Sequence, residues 1–174
     1  MPISNPNQCI IIDNSPIYSL GLRSYLQEAI PSLDISIEHE LPLTKFLQPV
    51  NIVCIHAHEN MMYNNSTLLI LNDLKIKFHT KIIIYLTRYS QEFLYTVCNF
   101  NFDCLFLASD DKNEIVRVLK ALNKGRWSMS RNAIEQYIIS SKKGSIYRFN
   151  DIYPNVEEVA SHASFLKLMQ QSLS

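Results

Sequence analysis

The 174 residues are 47% hydrophobic and 18% charged, the proportions of a globular chain with room for one well-buried domain and an extension. Sixteen Lys and Arg balance sixteen Asp and Glu, so no net field draws the chain onto nucleic acid or an anionic membrane. Its four cysteines (Cys9, Cys54, Cys98, Cys104) lie in or beside apolar runs without CxxC spacing, which argues for reduced buried thiols and a cytoplasmic setting over disulfides or zinc.

The chain opens on MPISNPNQ, which has neither the basic flank nor the apolar stretch of a signal peptide, and no later run approaches the ~18 residues of a membrane span. QCIIID, from Gln8 to Asp13, is a continuous apolar run of the kind found in parallel strands covered on both faces. Pro16 then sets the first turn of a helix with Tyr18, Leu22, Tyr25, Leu26 and Ala29 on one face, and Pro31 stops it. LDISIEH, from Leu33 to His39, alternates polar and apolar residues and predicts a more exposed edge strand, followed by a short helical segment. NIVCIH, from Asn51 to His56, is a second buried run, and it breaks off at His56, His58 and Glu59. KIIIYLT ends at Thr87, after which Ser90 can cap a helix burying Leu94, Val97 and Cys98. CLFLA ends at Ala108. Asp111 and Glu114 have capping-box spacing ahead of Ile115, Val118, Leu119 and Leu122, and Gly125 ends that helix.

Five strands alternating with helical segments predict an α/β fold, a flavodoxin-like (βα)5 doubly wound parallel sheet in the order 2-1-3-4-5. Ser130 begins an added C-terminal helix through Ala133, Ile134, Tyr137 and Ile138, which breaks at SSKKGS. The folded unit is expected over residues 1–140, with the sixth helix at 130–140. Residues 141–174 form a linker and tail with one helical stretch after Pro154, and they hold no recognisable DNA-binding domain.

In such sheets chemistry collects where the strands end. Those ends carry Asp13 with Asn14, then His56, Thr87 and Ala108. His56 and His58 alternate onto one face with Glu59 and Asp13 near, yet no further His or Cys pair completes a tetrahedral set, so no metal or other cofactor is expected. A histidine base with Thr87 or Ser15 as nucleophile lacks a glycine-rich oxyanion element, and no enzyme activity is expected either.

IIIDNSPIYSLGLRSYL, KIIIYLTRYS and NFDCLFLASDDKNEIVRVLKALNKGRW together resemble the receiver domain of bacterial response regulators, in the branch carrying LuxR/NarL-type helix-turn-helix output domains. The resemblance spans roughly residues 8 to 140. It implies a pocket of two adjacent carboxylates that hold Mg²⁺, a phosphoacceptor Asp after the third strand, a Thr or Ser after the fourth and a Lys after the fifth. This chain keeps Asp13 and Thr87 but has Asn14, His56 at the acceptor place and Ala108 at the Lys place. Phosphoryl transfer depends on positioned charge, so the resemblance implies a degenerate, phosphorylation-independent receiver.

GRWSMSRNA, residues 125 to 133, is similar to a motif of some LuxR-type biofilm regulators with an atypical receiver, in which Trp, Phe/Leu/Met, Thr/Ser and Arg bind cyclic di-GMP at the start of a sixth helix. Met129, Ser130 and Arg131 fit the last three places, while Trp127 lies one residue early. The resemblance further implies pairing through helical faces beside the fifth strand or through the first and fifth helices, the latter here presenting Tyr18, Arg23, Arg117 and Lys120; Ile134, Tyr137 and Ile138 form an apolar stripe that must cover either the end of its own domain or a partner. The expected function is therefore regulatory. The chain acts in transcriptional control as a homodimer or as a heterodimer with a LuxR-type regulator, without touching nucleic acid or membrane itself. Sensing of a cyclic dinucleotide or other small ligand is the alternative.

Overall fold

The computed structural model describes residues 7–41, 49–62 and 65–142. In chain order they form β1 (Asn7–Ile12), α1 (Pro16–Ala29), β2 (Leu33–Glu38), β3 (Ile52–His56), α2 (Glu59–Met62), α3 (Asn65–Phe78), β4 (Lys81–Leu86), α4 (Gln91–Cys98), β5 (Cys104–Leu107), α5 (Lys112–Asn123), β6 (Ser128–Met129) and α6 (Arg131–Lys142). The short helical segment expected after β2 and the tail helix expected after Pro154 lie outside the described residues. Among those described, no helix is long and apolar enough to cross a membrane.

All the strands are parallel, in the order β2-β1-β3-β4-β5-β6. The first five positions are those the apolar runs predict. Because β1, β3, β4 and β5 are covered on both faces, successive residues of each strand enter opposite cores. Ile11, Cys54, Ile83 and Phe106 pack with Leu22 and Leu26 of α1 and Leu119 of α5. Ile12, Val53, Ile55, Ile84 and Leu105 meet Leu71 of α3, Phe93 of α4 and Tyr137 of α6. Ile11, Ile55 and Ile83 are wholly buried and Phe106 nearly so. At the edge, β2 buries Leu33 and Ile35 and exposes Asp34 and Ser36, which is the alternation its sequence shows.

Helix boundaries follow the capping chemistry. Ser90 Oγ accepts the Phe93 amide at 3.1 Å, and Asp111 Oδ1 accepts that of Glu114 at 3.0 Å. Gly125, at φ 72°, takes the left-handed conformation that closes α5.

Three expectations are corrected. First, a sixth strand is present. After the Gly125 turn the chain runs back along β5, with the Ser128 amide donating to Asp103 O at 3.0 Å and the Ser130 amide to Leu105 O at 2.9 Å. Two residues are too few to carry a period, so the sequence pattern could not show it. Second, α1 turns Ser19 rather than Tyr18 inward; Ser19 is buried and Tyr18 is 47% exposed. Third, the α6 stripe covers its own domain. Ile134 and Tyr137 are buried against α4, where the Tyr137 and Tyr95 rings stack with centroids 5.8 Å apart. They are core residues and cannot serve an interface, whereas Ile138 and Ile139 stay exposed.

Candidate functional site

β1, β3 and β4 end side by side, which brings Asp13, His56 and Thr87 together. His56 Nδ1 lies 2.7 Å from Asp13 Oδ1, and its Nε2 lies 2.8 Å from Thr87 Oγ1. With Nδ1–H donating to the carboxylate, Nε2 is left to accept the threonine hydroxyl. Asp13 also accepts the Ser15 amide at 2.9 Å and, on its other oxygen, the Tyr85 hydroxyl. Its side chain is fully buried, that of His56 17% exposed. The imidazole lies over the Tyr85 ring, centroids 4.8 Å apart and planes 15° from parallel, with Tyr18 tilted beside it at 6.0 Å.

Tyr85 is the member of this group that sequence reasoning missed. It sits inside an otherwise aliphatic run, where an aromatic ring looks like simple core, but its register partner across the sheet is His56. Burial, the neighbouring Cys54 and the bond to Asp13 all push its phenol well above the ordinary tyrosine range, so it remains a proton donor to the carboxylate.

The remaining members of the expected pocket bring no charge. Asn14 is exposed, and Ala108, whose amide donates to Leu86 O, is half-buried. Past Ala108 the chain is tied down by Asp110, which accepts the Leu107 amide and the Asn132 side-chain amide, each at 2.7 Å. A cavity of about 190 Å³ opens beside Asp13, lined in part by Asn14, Ser15, His39, His58 and Met61. Among the described residues no group of three or more His, Cys, Asp or Glu side chains is placed to hold a metal. Asp13 itself is already engaged. A carboxylate offers about four lone-pair sites, and three donors already occupy it.

The structure places the members of segment 127–131 in different surroundings. Met129 and Ser130 are fully buried, the first as a strand residue and the second with its Oγ accepting the Ala133 amide at 3.3 Å. Trp127 packs on Phe102, centroids 5.5 Å apart. Arg131 is exposed, and its amide donates to Glu114 Oε1 at 2.8 Å. Met129 and Ser130 are therefore not open to a dinucleotide. Arg117 is likewise engaged inside the domain, bonded to both Glu114 oxygens at 2.8–2.9 Å and to Met129 O at 3.0 Å. Of the expected interface residues, Tyr18, Arg23, Lys120 and Ile138 remain exposed.

Glu114 thus joins α5 to the start of α6. The Arg117 guanidinium beside it holds its carboxyl below the ordinary value of 4.5, with burial opposing and the Arg131 amide adding to the effect. A carboxyl lowered on folding stabilises the native state above its unfolded value, and that contribution is lost as pH falls through the folded value. Urea denaturation followed downward from pH 4.5 should show Glu114→Gln losing less stability than the parent. Parallel acid limbs for the two proteins would count against this joint.

No family model and no curated protein matches the chain. Solved structures do. The isolated receiver domain of RcsB from Salmonella enterica serovar Typhimurium, determined with the phosphomimetic BeF3⁻, is 19% identical, with 76% of this chain and 99% of that one covered at a TM-score of 0.59. A LuxR-family two-component response regulator from Aurantimonas sp. SI85-9A1 is 18% identical, covering 78% and 97% at 0.58. A structure of two RcsB dimers bound to two parallel DNAs is 14% identical, covering 98% and 100% at 0.60. At such identities the likeness concerns architecture, and the chain has the flavodoxin-like fold of response-regulator receiver domains, extended at its far edge by β6 and α6.

Proposed function

We propose that this chain is a phosphorylation-independent regulatory module of receiver fold, acting in transcriptional control by pairing with a second copy of itself or with a LuxR-type regulator. The observation that carries this reading is the closed Asp13–His56–Thr87 chain with Tyr85 beneath it. An incoming phosphoryl group carries charge that must be neutralised by a metal and a cation. Here the one carboxylate is occupied by three donors, the acceptor place is an imidazole bonded at both nitrogens, and Ala108 stands where a cation would be needed. Regulation by partner choice remains for such a fold, and the RcsB structures similar to it include dimers on DNA.

The surface for pairing is α1. β6 and α6 cover the sheet beyond β5, while Ile17 and Leu20, one helical turn apart, are 82% and 59% exposed. Next to them Gly21 faces open space, with nothing within 4 Å of where a Cβ would stand. A mid-helix glycine costs about 0.5–1 kcal/mol relative to alanine, and the chain's own packing gives no reason for it. A second helix approaching closely does. Cyclic dinucleotide sensing at 127–131 has no comparable support, since two of its four side chains are buried.

The test combines intact mass with sedimentation. Acetyl phosphate and Mg²⁺ should add no phosphoryl group and leave the association state unchanged, while Ile17→Asp with Leu20→Asp should shift the pair to monomer or abolish capture of a helix-turn-helix regulator. A phosphoryl group on Asp13 or His56, or association indifferent to the α1 substitutions, would remove the basis for this function.

A further inference from the structure

Sequence alone offers no oxyanion element near Thr87, but the structure supplies the rest of a nucleophile's surroundings. Asp13, His56 and Thr87 form one continuous line. The carboxylate is buried and fixed by the Ser15 amide and the Tyr85 hydroxyl, it orients the imidazole through Nδ1, and Nε2 is hydrogen-bonded to the hydroxyl at 2.8 Å. Those are the contacts by which a histidine takes a proton from an attacking hydroxyl while a carboxylate holds the tautomer. Thr87 also follows a buried strand and precedes the turn into α4.

We infer that Thr87 is an activated hydroxyl that accepts one acyl group from a small activated acyl donor, with His56 as its base and Asp13 as a positioning residue. Charge decides for acyl over phosphoryl transfer. A phosphoryl group brings several negative oxygens beside Asp13 with no metal or lysine to meet them, whereas an acyl carbon develops a single negative oxygen. The Thr87 Oγ1–carbonyl carbon bond forms as the hydroxyl proton moves to His56 Nε2. The bond from that carbon to the leaving group breaks, the leaving group departs with the electron pair, and the proton passes from His56 to it or to water. Thr87 is half-buried and His56 is 17% exposed at the side chain, so the donor must be small. The ester removes the proton that Thr87 shares with His56, which makes the strand ends of β3 and β4 chemically switchable without phosphate.

The probe is p-nitrophenyl acetate on the full chain, with nitrophenolate release followed by absorbance and the acetyl group located by peptide mapping. The expected result is one acetyl group on Thr87 per chain. Thr87→Ser should keep the reaction, while Thr87→Val and His56→Gln should slow it by about 10²-fold or more, the usual contribution of a positioned base. Acetyl found only on lysines, the N-terminus or a histidine, or a Thr87→Val rate equal to the parent's, overturns the inference. Circular dichroism of each variant separates loss of the hydroxyl from loss of the fold. The pocket's silence toward phosphodonors stands or falls separately, because it is read as phosphoryl on Asp13 or His56 and not as acetyl on Thr87.

Discussion

Tyr137→Ala will lower the unfolding free energy by about 3–5 kcal/mol, the range for deleting a large aromatic from a packed core. Tyr137 is 1% exposed, stacks in parallel on Tyr95 and belongs to the same cluster as Ile84, Phe93 and Leu105. Burial pushes its phenol up, in keeping with a ring deep inside the domain. One helical position on, Ile138 is 36% exposed, and Ile138→Asp should change stability by no more than about 0.5 kcal/mol. Urea denaturation of the two variants gives the comparison, with an unchanged slope showing that the unfolded state is unaltered. A Tyr137→Ala cost below about 1 kcal/mol would mean that α6 is not part of the core.

That contrast shows what a sequence pattern can and cannot convey. Apolar spacing along 133–138 requires a covered stripe, but period alone does not say whether the cover is the domain's own α4 or another chain. The answer depends on β6. Two residues of strand carry the chain back along β5 and set α6 down on α4, and the hydrogen bonds that do this run from Ser128 and Ser130 to backbone carbonyls, which no side-chain pattern records. The same pairing explains the fate of the segment resembling a dinucleotide motif, because a residue at a strand position beside β5 points into the core. By contrast, β1, β3, β4 and β5 were legible because burial on both faces forces an uninterrupted apolar run, and α4 and α5 because Ser90 and Asp111 cap them through bonds that need particular side chains.

The site was legible by position and not by partnership. Strand ends place Asp13, His56 and Thr87 together in any sheet of this order, so their convergence follows from topology. That His56 uses both nitrogens, and so joins what were separate pocket members into one chain, depends on rotamers. Tyr85 was invisible for a related reason. Inside KIIIYLT its ring suits the core, and only the proximity of a buried carboxylate gives its hydroxyl a role.

Asp13→Ala should cost about 2–4 kcal/mol, as expected when several donors lose their common acceptor and one of them stays buried. The size comes less from the lost attraction than from what is orphaned. The Tyr85 hydroxyl, His56 Nδ1–H and the Ser15 amide all donate to Asp13, and a buried donor left without an acceptor costs about 1–3 kcal/mol. Ser15 lies near the surface at the start of α1, where water can replace the carboxylate, and His56 retains some exposure. Tyr85 has neither recourse, being 3% exposed beneath the imidazole. Most of the penalty should therefore reside in the tyrosine, and a double-mutant cycle can isolate it. Tyr85→Phe alone removes one bond to a carboxylate that keeps two other donors. In the Asp13→Ala background the same change removes the orphan itself, so the double variant should be more stable than the sum of the two single losses by about 1–3 kcal/mol. Additivity within about 0.5 kcal/mol would show that Tyr85 and Asp13 are not coupled, and the closed chain of donors at the strand ends would lose its anchor.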